Sequence, residues 1–422
     1  MMFETCEMRR MMAVTADAFH NTLYVWGDAN ANGISVEKSG SDLVVKKYTS
    51  GVGYSEIFRK ADSYVNHVRI YGYDGADTIT IADNITDPAT IMGGRGADYL
   101  KAGGGQSNVY GHGDWSDDPS GSHKPSTDDS AADNLVSGAG YSILHGQKGN
   151  DSFYTTYTGA GATTQYDVMN GGDGNDNFYT TGQRQAYAFG QNGNDTFYAG
   201  KQRTLFSGGA GSDTIDFANF GEGVYVRPDG VGYSGENVGS RKLIIQTDVE
   251  IAYGTNYNDY FSGSDNANIF FGRKGVDSLF GNAGNDVLNG GDNGDYINGG
   301  NGNDIIIGEA GNDSLYGGSH NDSVYGGLGT DDIHGGSGND HLYGQEDGDW
   351  IYGDSGNDLM VGGAGADFLD SHDGVVANDI LYGDNTNGTG GGGGVLDVAF
   401  IDRIGNLLWQ KDATYGFESV AS

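Results

Sequence analysis

The sequence predicts an all-β fold, a right-handed parallel solenoid of the β-roll or β-helix type. Three observations support this prediction. Glycine occurs 77 times in 422 residues and proline only 4 times, a balance that suits a chain with many tight turns. An aspartate recurs every nine residues through the C-terminal half, and an apolar residue follows each aspartate two positions later. A single unit of this kind cannot bury its apolar residue, so the units are expected to stack into one continuous core.

The net charge of the chain is strongly negative. Asp and Glu number 58 against 22 Lys and Arg, which gives a formal charge of −36. Such a surface repels nucleic acid and anionic membranes, so we expect no nucleic-acid partner. No apolar run is long enough to predict a membrane span. The charge also opposes compaction, so the folded state is expected to need cations, and the single cysteine, Cys6, excludes an internal disulfide framework.

The nine-residue register begins at Asp259 and contains thirteen positions, of which twelve are aspartate and one is Asn268. The apolar row that lies two residues later runs from Phe261 to Leu369. Glycine follows four residues after each aspartate as far as Gly362. The aspartates that this register predicts as metal ligands are Asp259, Asp277, Asp286, Asp295, Asp304, Asp313, Asp322, Asp331, Asp340, Asp349, Asp358 and Asp367.

Two nine-residue units would make one coil of 18 residues, with two short strands and two turns. Residues 18 apart then lie on the same edge in adjacent coils, about 4.8 Å apart, so that Asp277 stacks on Asp295. Carboxylates at this separation repel one another unless a cation lies between them. Calcium accepts about six to eight oxygen ligands in flexible geometry, whereas magnesium demands a tight octahedron. The register therefore predicts Ca²⁺ between adjacent coils, at ten pairs of aspartates.

The segment 254–383 resembles the RTX (hemolysin-type) calcium-binding repeat family. Its unit reads G-G-x-G-x-D-x-U-x, where U is a large apolar residue, and the stretches 277–295 and 304–322 fit the pattern well. The resemblance implies that the motif aspartates supply side-chain oxygens and the turn residues supply main-chain carbonyls. We expect calcium to drive the folding of this segment, with affinities of about 10⁻⁴–10⁻³ M per site. Such weak sites fill only outside the cell, so a secreted, extracellular protein is expected.

Some units depart from the family pattern, and weaker sites are expected there. Asn268 replaces an aspartate. Residues other than glycine stand at motif glycine positions at Arg273, Asn293, Glu309, His320, Gln345, Asp347 and Asp354.

Residues 21–253 carry the same pattern with irregular spacing, which predicts a parallel β-helix with longer coils. The pattern G-x-D-x-U recurs at Asp77, Asp98, Asp151, Asp176, Asp195 and Asp213. Asp195 and Asp213 are one coil of 18 residues apart and are the predicted upstream calcium pair. For the other aspartates two interpretations stay open: they bind cations, or they cap turns.

The remaining segments predict smaller features. Residues 1–20 include Glu7, Arg9, Met11, Met12 and Ala13, which resemble the LEPR-type export segment of planctomycete secreted proteins. Alternating residues in 21–70 predict strands that form a first coil or a capping sheet. Residues 112–134 predict an acidic surface loop. Residues 384–422 predict a glycine linker and a C-terminal cap that contains Trp409.

The sequence contains neither H-E-x-x-H nor G-x-S-x-G, so no enzyme is predicted. The favoured hypothesis is a calcium-binding structural or cell-surface protein. One alternative is an adhesin or matrix protein that binds glycans through a strip of tyrosines, Tyr316, Tyr325, Tyr343 and Tyr352. Another alternative is a carbohydrate-active β-helix enzyme.

Overall fold

The computed structural model describes residues 14–112, 130–155, 166–181, 185–200, 204–226, 244–245, 249–371, 379–384, 398–400 and 419–421. Within these residues the chain forms β-strands, one 3₁₀ turn at Asp62–Tyr64 and no α-helix. This part of the chain holds no helix with the length and apolarity needed to cross a membrane. The chain divides into two compact units, unit 1 with residues 1–215 and 241–249 and unit 2 with residues 216–240 and 250–422.

Several predicted features fall outside the described residues. These are the residues that resemble an export segment, most of the acidic loop, the glycine-rich stretch 388–394 and Trp409.

Unit 1 begins with antiparallel strands. Strand β1 (Thr15–Phe19) pairs with β2 (Thr22–Trp26), and β3 (Gly33–Ser39), β4 (Asp42–Thr49) and β5 (Gly53–Ala61) form a meander. Side chains in β2 alternate between buried and half-buried, as expected for a strand with one face in the core. The strands predicted within 21–70 are therefore present.

After this meander the strands of unit 1 run parallel and alternate between two sheets. One sheet continues from β2 through β6 (His67–Asp74), β8 (Ala89–Arg95), β10 (Ser107–Tyr110), β12 (Ser142–Lys148), β14 (Tyr166–Asp173), β16 (Gln185–Asn192), β18 (Thr204–Ala210) and β21 (Ile244–Ile245). The other continues from β3 through β7 (Thr78–Ile81), β9 (Tyr99–Lys101), β11 (Asn134–Val136), β13 (Ser152–Tyr154), β15 (Asn177–Tyr179) and β17 (Thr196–Tyr198), and β19 (Thr214–Asp216) follows at the end of the unit.

Unit 2 repeats the arrangement with shorter and more regular coils. One sheet contains β20 (Tyr225–Val226), β23 (Tyr260–Ser262), β25 (Ser278–Ala283), β27 (Tyr296–Asn301), β29 (Ser314–Ser319), β31 (Asp332–Ser337), β33 (Trp350–Ser355), β35 (Phe368–Asp370), β37 (Val398–Phe400) and β38 (Ser419–Ala421). The other contains β22 (Ile251–Tyr253), β24 (Ile269–Lys274), β26 (Val287–Asp292), β28 (Ile305–Ala310), β30 (Ser323–Leu328), β32 (His341–Glu346), β34 (Leu359–Ala364) and β36 (Ile380–Asp384). Leu279 pairs with Ile297, so the register advances by 18 residues per coil.

The predicted apolar row forms the core of unit 2. Its residues, from Phe261 to Leu369, are fully buried, and the least buried of them, Phe270, is only 2% exposed. Unit 1 uses aromatic residues in the same way, and Phe178 stacks between Phe153 and Phe197 with ring centroids 4.7 and 4.8 Å apart. In unit 2 each strand from β23 to β35 contributes one inward apolar side chain, and stacking joins these side chains into a continuous core. The predicted all-β parallel solenoid is confirmed.

Candidate metal centre

The repeat aspartates of unit 2 stand in two columns, one on each edge of the solenoid. The backbone N–H of Asp277 donates to Oδ1 of Asp295 at 2.8 Å, and that of Asp295 donates to Oδ1 of Asp313 at 2.7 Å. One column contains Asp259, Asp277, Asp295, Asp313, Asp331, Asp349 and Asp367. The other contains Asn268, Asp286, Asp304, Asp322, Asp340, Asp358 and Asp379.

The other carboxylate oxygen, Oδ2, is buried and accepts no hydrogen bond in nine of these aspartates. They are Asp277, Asp286, Asp295, Asp304, Asp313, Asp322, Asp331, Asp340 and Asp349. A buried polar atom without a partner is costly, and a buried charge without one is more costly still. Each of these oxygens therefore needs either a proton or a cation.

Burial raises the pKa of these carboxyl groups from the ordinary value of 3.8. The pKa reaches about 8 for Asp295, Asp322 and Asp349, mainly because their burial removes water from the charged form. The hydrogen bond from the preceding coil opposes this pKa rise, and the negative charge of neighbouring aspartates adds to it. Without a balancing cation, these groups take up protons near neutral pH.

Glycine five residues before each aspartate leaves room for the carboxylate. A Cβ on Gly281 would collide with Oδ2 of Asp286, and a Cβ on Gly290 would collide with Oδ2 of Asp295. Every residue four positions before the aspartates from Asp277 to Asp367 has a positive φ, whether or not it is glycine. The non-glycine residues with positive φ in these turns are Arg273, Asn282, Asn293, Glu309, His320, Gln345, Asp347 and Asp354. The units in which another residue replaces a motif glycine thus keep this left-handed backbone.

Main-chain carbonyl oxygens of the turns point from one coil toward the next. A Cβ on Gly302 would collide with the carbonyl oxygen of Gly284, and one on Gly318 would collide with that of Gly300. Each space between adjacent turns is therefore bordered by carbonyl oxygens as well as carboxylates. Such an all-oxygen surrounding favours a hard cation of flexible coordination, which is the chemistry of Ca²⁺.

Carboxylates alone do not form the site. Among the residues that the structure describes, no group of three or more His, Cys, Asp or Glu side chains is placed to hold a metal ion. An ion between two turns would therefore meet two aspartates at most and would take its other ligands from carbonyl oxygens. The absence of nitrogen and sulfur donors from this arrangement disfavours zinc and copper.

Unit 1 contains a third column that is built by the same hydrogen bond. It joins Asn32, Asp77, Asp98, Asp133, Asp151, Asp176, Asp195 and Asp213. The predicted pair Asp195 and Asp213 is part of this column, and the Asp195 N–H donates to Oδ1 of Asp213 at 2.8 Å. Oδ2 of Asp77, Asp151, Asp176 and Asp195 is buried without a hydrogen bond, as in unit 2. Both cation binding and turn capping therefore stay open for this column, although its atoms are arranged as in unit 2.

Two members of these columns, Asn32 and Asp133, were not predicted from the sequence. Asn32 follows Asn30 and Asp133 follows Ala131, where the pattern has a glycine. A different signal could have found both, because each is followed two residues later by an apolar side chain, Ile34 or Leu135. Asp379, which the sequence indicates as one more unit shifted by three residues, follows Asp358 in its column.

The four tyrosines of the predicted glycan strip stack on other aromatic rings. Tyr325 and Tyr343 lie 5.0 Å apart and are nearly parallel, at 4°. Tyr316 and Tyr352 lie on opposite faces of His334, at 5.1 and 4.5 Å. Glycans stack on open ring faces, and these faces are at least partly covered by neighbouring rings. The glycan-binding alternative gains no support from this arrangement.

A family model of the RTX calcium-binding nonapeptide repeat, in four copies, matches eight segments of the chain. They are residues 89–114, 128–156, 162–183, 189–219, 247–279, 272–306, 298–333 and 334–369. Together they cover more than half of the 422 residues. The matches begin far upstream of the predicted segment 254–383 and include most of the third column. A search among curated proteins found no significant match.

Proposed function

The chain belongs to the family of RTX calcium-binding nonapeptide repeats, and from that premise we propose that it is a secreted structural or cell-surface protein whose coils wind when Ca²⁺ binds between adjacent turns. One observation carries the proposal: nine aspartates of unit 2 each bury a carboxylate oxygen that has no hydrogen-bond donor. A divalent cation satisfies two such oxygens at once and removes their mutual repulsion.

The proposed side-chain ligands are the column aspartates that the sequence predicts, except Asp259, both of whose carboxylate oxygens accept hydrogen bonds. They are Asp277, Asp286, Asp295, Asp304, Asp313, Asp322, Asp331, Asp340, Asp349, Asp358 and Asp367 in unit 2, and Asp195 and Asp213 in unit 1. Turn carbonyl oxygens supply the remaining ligands.

Charge explains why folding and binding should be coupled. Five adjacent pairs in one column of unit 2 and four in the other join the proposed ligands of that unit, so nine ions would balance half of the formal charge of −36. Without them, winding brings buried carboxylates together at the cost of desolvation and repulsion. Weak sites of about 10⁻⁴–10⁻³ M would keep the chain unwound in the cytosol and let it fold outside the cell.

Equilibrium dialysis of the full chain against calcium tests the proposal. At a free concentration of about 5 mM, well above the expected dissociation constants, we expect many calcium ions per chain and little displacement by equal magnesium. Zinc should not compete, because the columns offer only oxygen ligands. A folded chain that retains no calcium at this concentration would overturn the proposal.

A further inference from the structure

The first coil of unit 2 has two turns, residues 254–259 and 263–268, whose backbone differs from that of later turns. From Asp277 to Asp367, the residue four positions before each column aspartate has a positive φ. The residues at that position in the first coil, Thr255 and Ser264, are not among those with positive φ. These two turns therefore follow a different path from the turns that repeat after them.

A side-chain hydroxyl closes each of these two turns. Oγ1 of Thr255 accepts a hydrogen bond from the Tyr257 N–H at 2.9 Å. Oγ of Ser264 accepts one from the Asn266 N–H at 3.1 Å. In later turns such as 281–286 the equivalent N–H donates to a carbonyl of the next coil instead. The first turns are thus closed within themselves by Ser/Thr turns.

Asp259 differs from the nine aspartates of unit 2 whose Oδ2 accepts no hydrogen bond, because both of its oxygens accept hydrogen bonds. Oδ1 accepts from the Val224 N–H at 2.7 Å, and Oδ2 accepts from the Thr255 N–H at 2.6 Å. On the other edge the position is held by an uncharged amide, Asn268, whose Oδ1 accepts from the Ser264 N–H at 2.8 Å. Neither turn therefore contains a buried carboxylate oxygen that needs a cation to balance it.

Side chains of the second coil also donate hydrogen bonds to main-chain carbonyl oxygens of the first coil. Nη1 of Arg273 donates to the Gly254 carbonyl at 2.7 Å and to Oδ1 of Asp216 at 2.9 Å. Nδ2 of Asn282 donates to the Gly263 carbonyl at 2.7 Å. Gly254 and Gly263 hold the same position in their turns, so protein donors satisfy the same carbonyl on both edges.

We propose that the two turns of the first coil bind no calcium, and that the ion-binding columns of unit 2 begin at the pairs Asp277/Asp295 and Asp286/Asp304. This inference rests on the proposed function. It removes the predicted pair Asp259/Asp277 and leaves nine of the ten predicted pairs. Thr255 and Ser264 are then the specificity-determining residues, because their hydroxyl groups close these turns by hydrogen bonds and leave no place for an ion.

The first coil is also where the aspartate columns of unit 2 begin. The turn that precedes Asp259 within the unit carries Val224 at the aspartate position, and the other column begins with the uncharged Asn268. Hydrogen bonds within these first turns satisfy the oxygens for which we propose a cation in later turns. Unit 1 begins in the same way, because Oδ1 of Asp28 accepts from the Asn30 N–H at 2.9 Å in the turn that ends at the uncharged Asn32.

Loss of a carboxylate tests the inference directly. Bound calcium is counted by equilibrium dialysis for the full-length wild type, for Asp259→Asn and for the matched Asp295→Asn. We expect Asp259→Asn to keep the wild-type number and Asp295→Asn to lose one or two ions. Equal losses in the two variants would overturn the inference. A wild type that binds no calcium would instead overturn the proposed function, which separates the two failures.

Conversion of a first-coil turn into an ion-binding turn gives a second test. The double variant Thr255→Gly/Tyr257→Gly creates G-G-x-G-x-D before Asp259 and is expected to gain one calcium ion. Gln345→Gly/Asp347→Gly changes the same two positions in a turn that already has positive φ at both, so its calcium number should not change.

Circular dichroism in calcium establishes that each variant folds. If the first double variant does not fold, Ser264→Gly/Asn266→Gly/Asn268→Asp converts the other turn and has the same expected gain. Folded converted turns that gain no ion would overturn the inference.

Discussion

The two carboxylate oxygens of a column aspartate have different roles. In Asp313, Oδ1 accepts the N–H of Asp295, which joins adjacent coils, while Oδ2 is buried without a hydrogen-bond partner. Asparagine at this position would keep an acceptor for the joining bond and would remove the charge. Replacement by asparagine therefore separates the structural task of the side chain from the proposed electrostatic one.

We predict that Asp313→Asn raises the calcium concentration at the midpoint of folding about tenfold, which corresponds to about 1.4 kcal/mol. The reason is that two proposed sites share this carboxylate. The measurement is a calcium titration followed by circular dichroism. The control is Asp265→Asn, which removes the same charge from an exposed turn position. Similar midpoint shifts in the two variants would show that net charge, not the column position, matters.

The raised pKa values predict how pH affects the calcium-free chain. The pKa of Asp295, Asp322 and Asp349 rises from 3.8 to about 8 on folding. Folding therefore favours their protonated form, and this contribution to stability is complete below pH 3.8 and disappears as pH rises through about 8. In chelator, circular dichroism should accordingly show more strand structure at pH 5 than at pH 8.5. The opposite order would contradict these pKa values.

Saturating calcium should remove this pH dependence, because protons and calcium compete for the same oxygens and calcium-bound aspartates stay ionised. We expect thermal unfolding in saturating calcium to occur at nearly the same temperature at pH 6 and at pH 8.5.

At the residue scale, regular spacing made unit 2 predictable and irregular spacing hid part of unit 1. The aspartates from Asp277 to Asp367 follow from the nine-residue register alone. Asp133 did not, because 35 residues separate it from Asp98 although the two are adjacent in the column. A coil can carry an insertion of any length at its edge without disturbing the hydrogen bond that joins adjacent coils. Spacing in sequence therefore does not measure spacing in the column.

At the element scale, each short strand depends on its neighbours for the burial of one side chain. Leu315 in β29 pairs with Ile297 in β27 and with Ile333 in β31, and all three side chains are fully buried. A cavity at Leu315 would remove contacts in both directions along the core.

We predict that Leu315→Ala lowers the free energy of unfolding by about 2–5 kcal/mol, as is usual for such buried sites. Leu328→Ala is the matched control, because that leucine is the last residue of β30 and is 56% exposed. It should change stability by less than about 0.5 kcal/mol. Chemical denaturation in saturating calcium measures both. Equal losses would mean that the apolar row is not the core.

Turn chemistry was only partly predictable from the sequence. The motif glycines indicated the positions of the turns, but the effect of their replacements was not evident. Asn, His and Asp adopt positive φ more readily than most residues, yet Arg273, Glu309 and Gln345 adopt it as well. Hydrogen bonds between the stacked turns hold these residues at positive φ, although their intrinsic preference is for negative φ. The motif therefore indicates which residues favour this conformation, but the stacking of the turns determines it.

At the scale of the whole molecule, the solenoid places a large negative charge in ordered columns. Its formal charge is −36, and much of it lies on buried carboxylates that stand in adjacent coils. Hydrophobic burial of the apolar row favours winding, while carboxylate burial opposes it. Calcium is the proposed partner that makes winding favourable.

Small-angle X-ray scattering combined with circular dichroism, first in chelator at low salt and then with calcium, tests this claim most directly. We predict an expanded chain with little strand signal in chelator, and contraction with gain of strand signal when calcium is added. Magnesium at the same concentration should not reproduce the change. A chain that is compact and fully β-structured in chelator and does not respond to calcium would contradict the account.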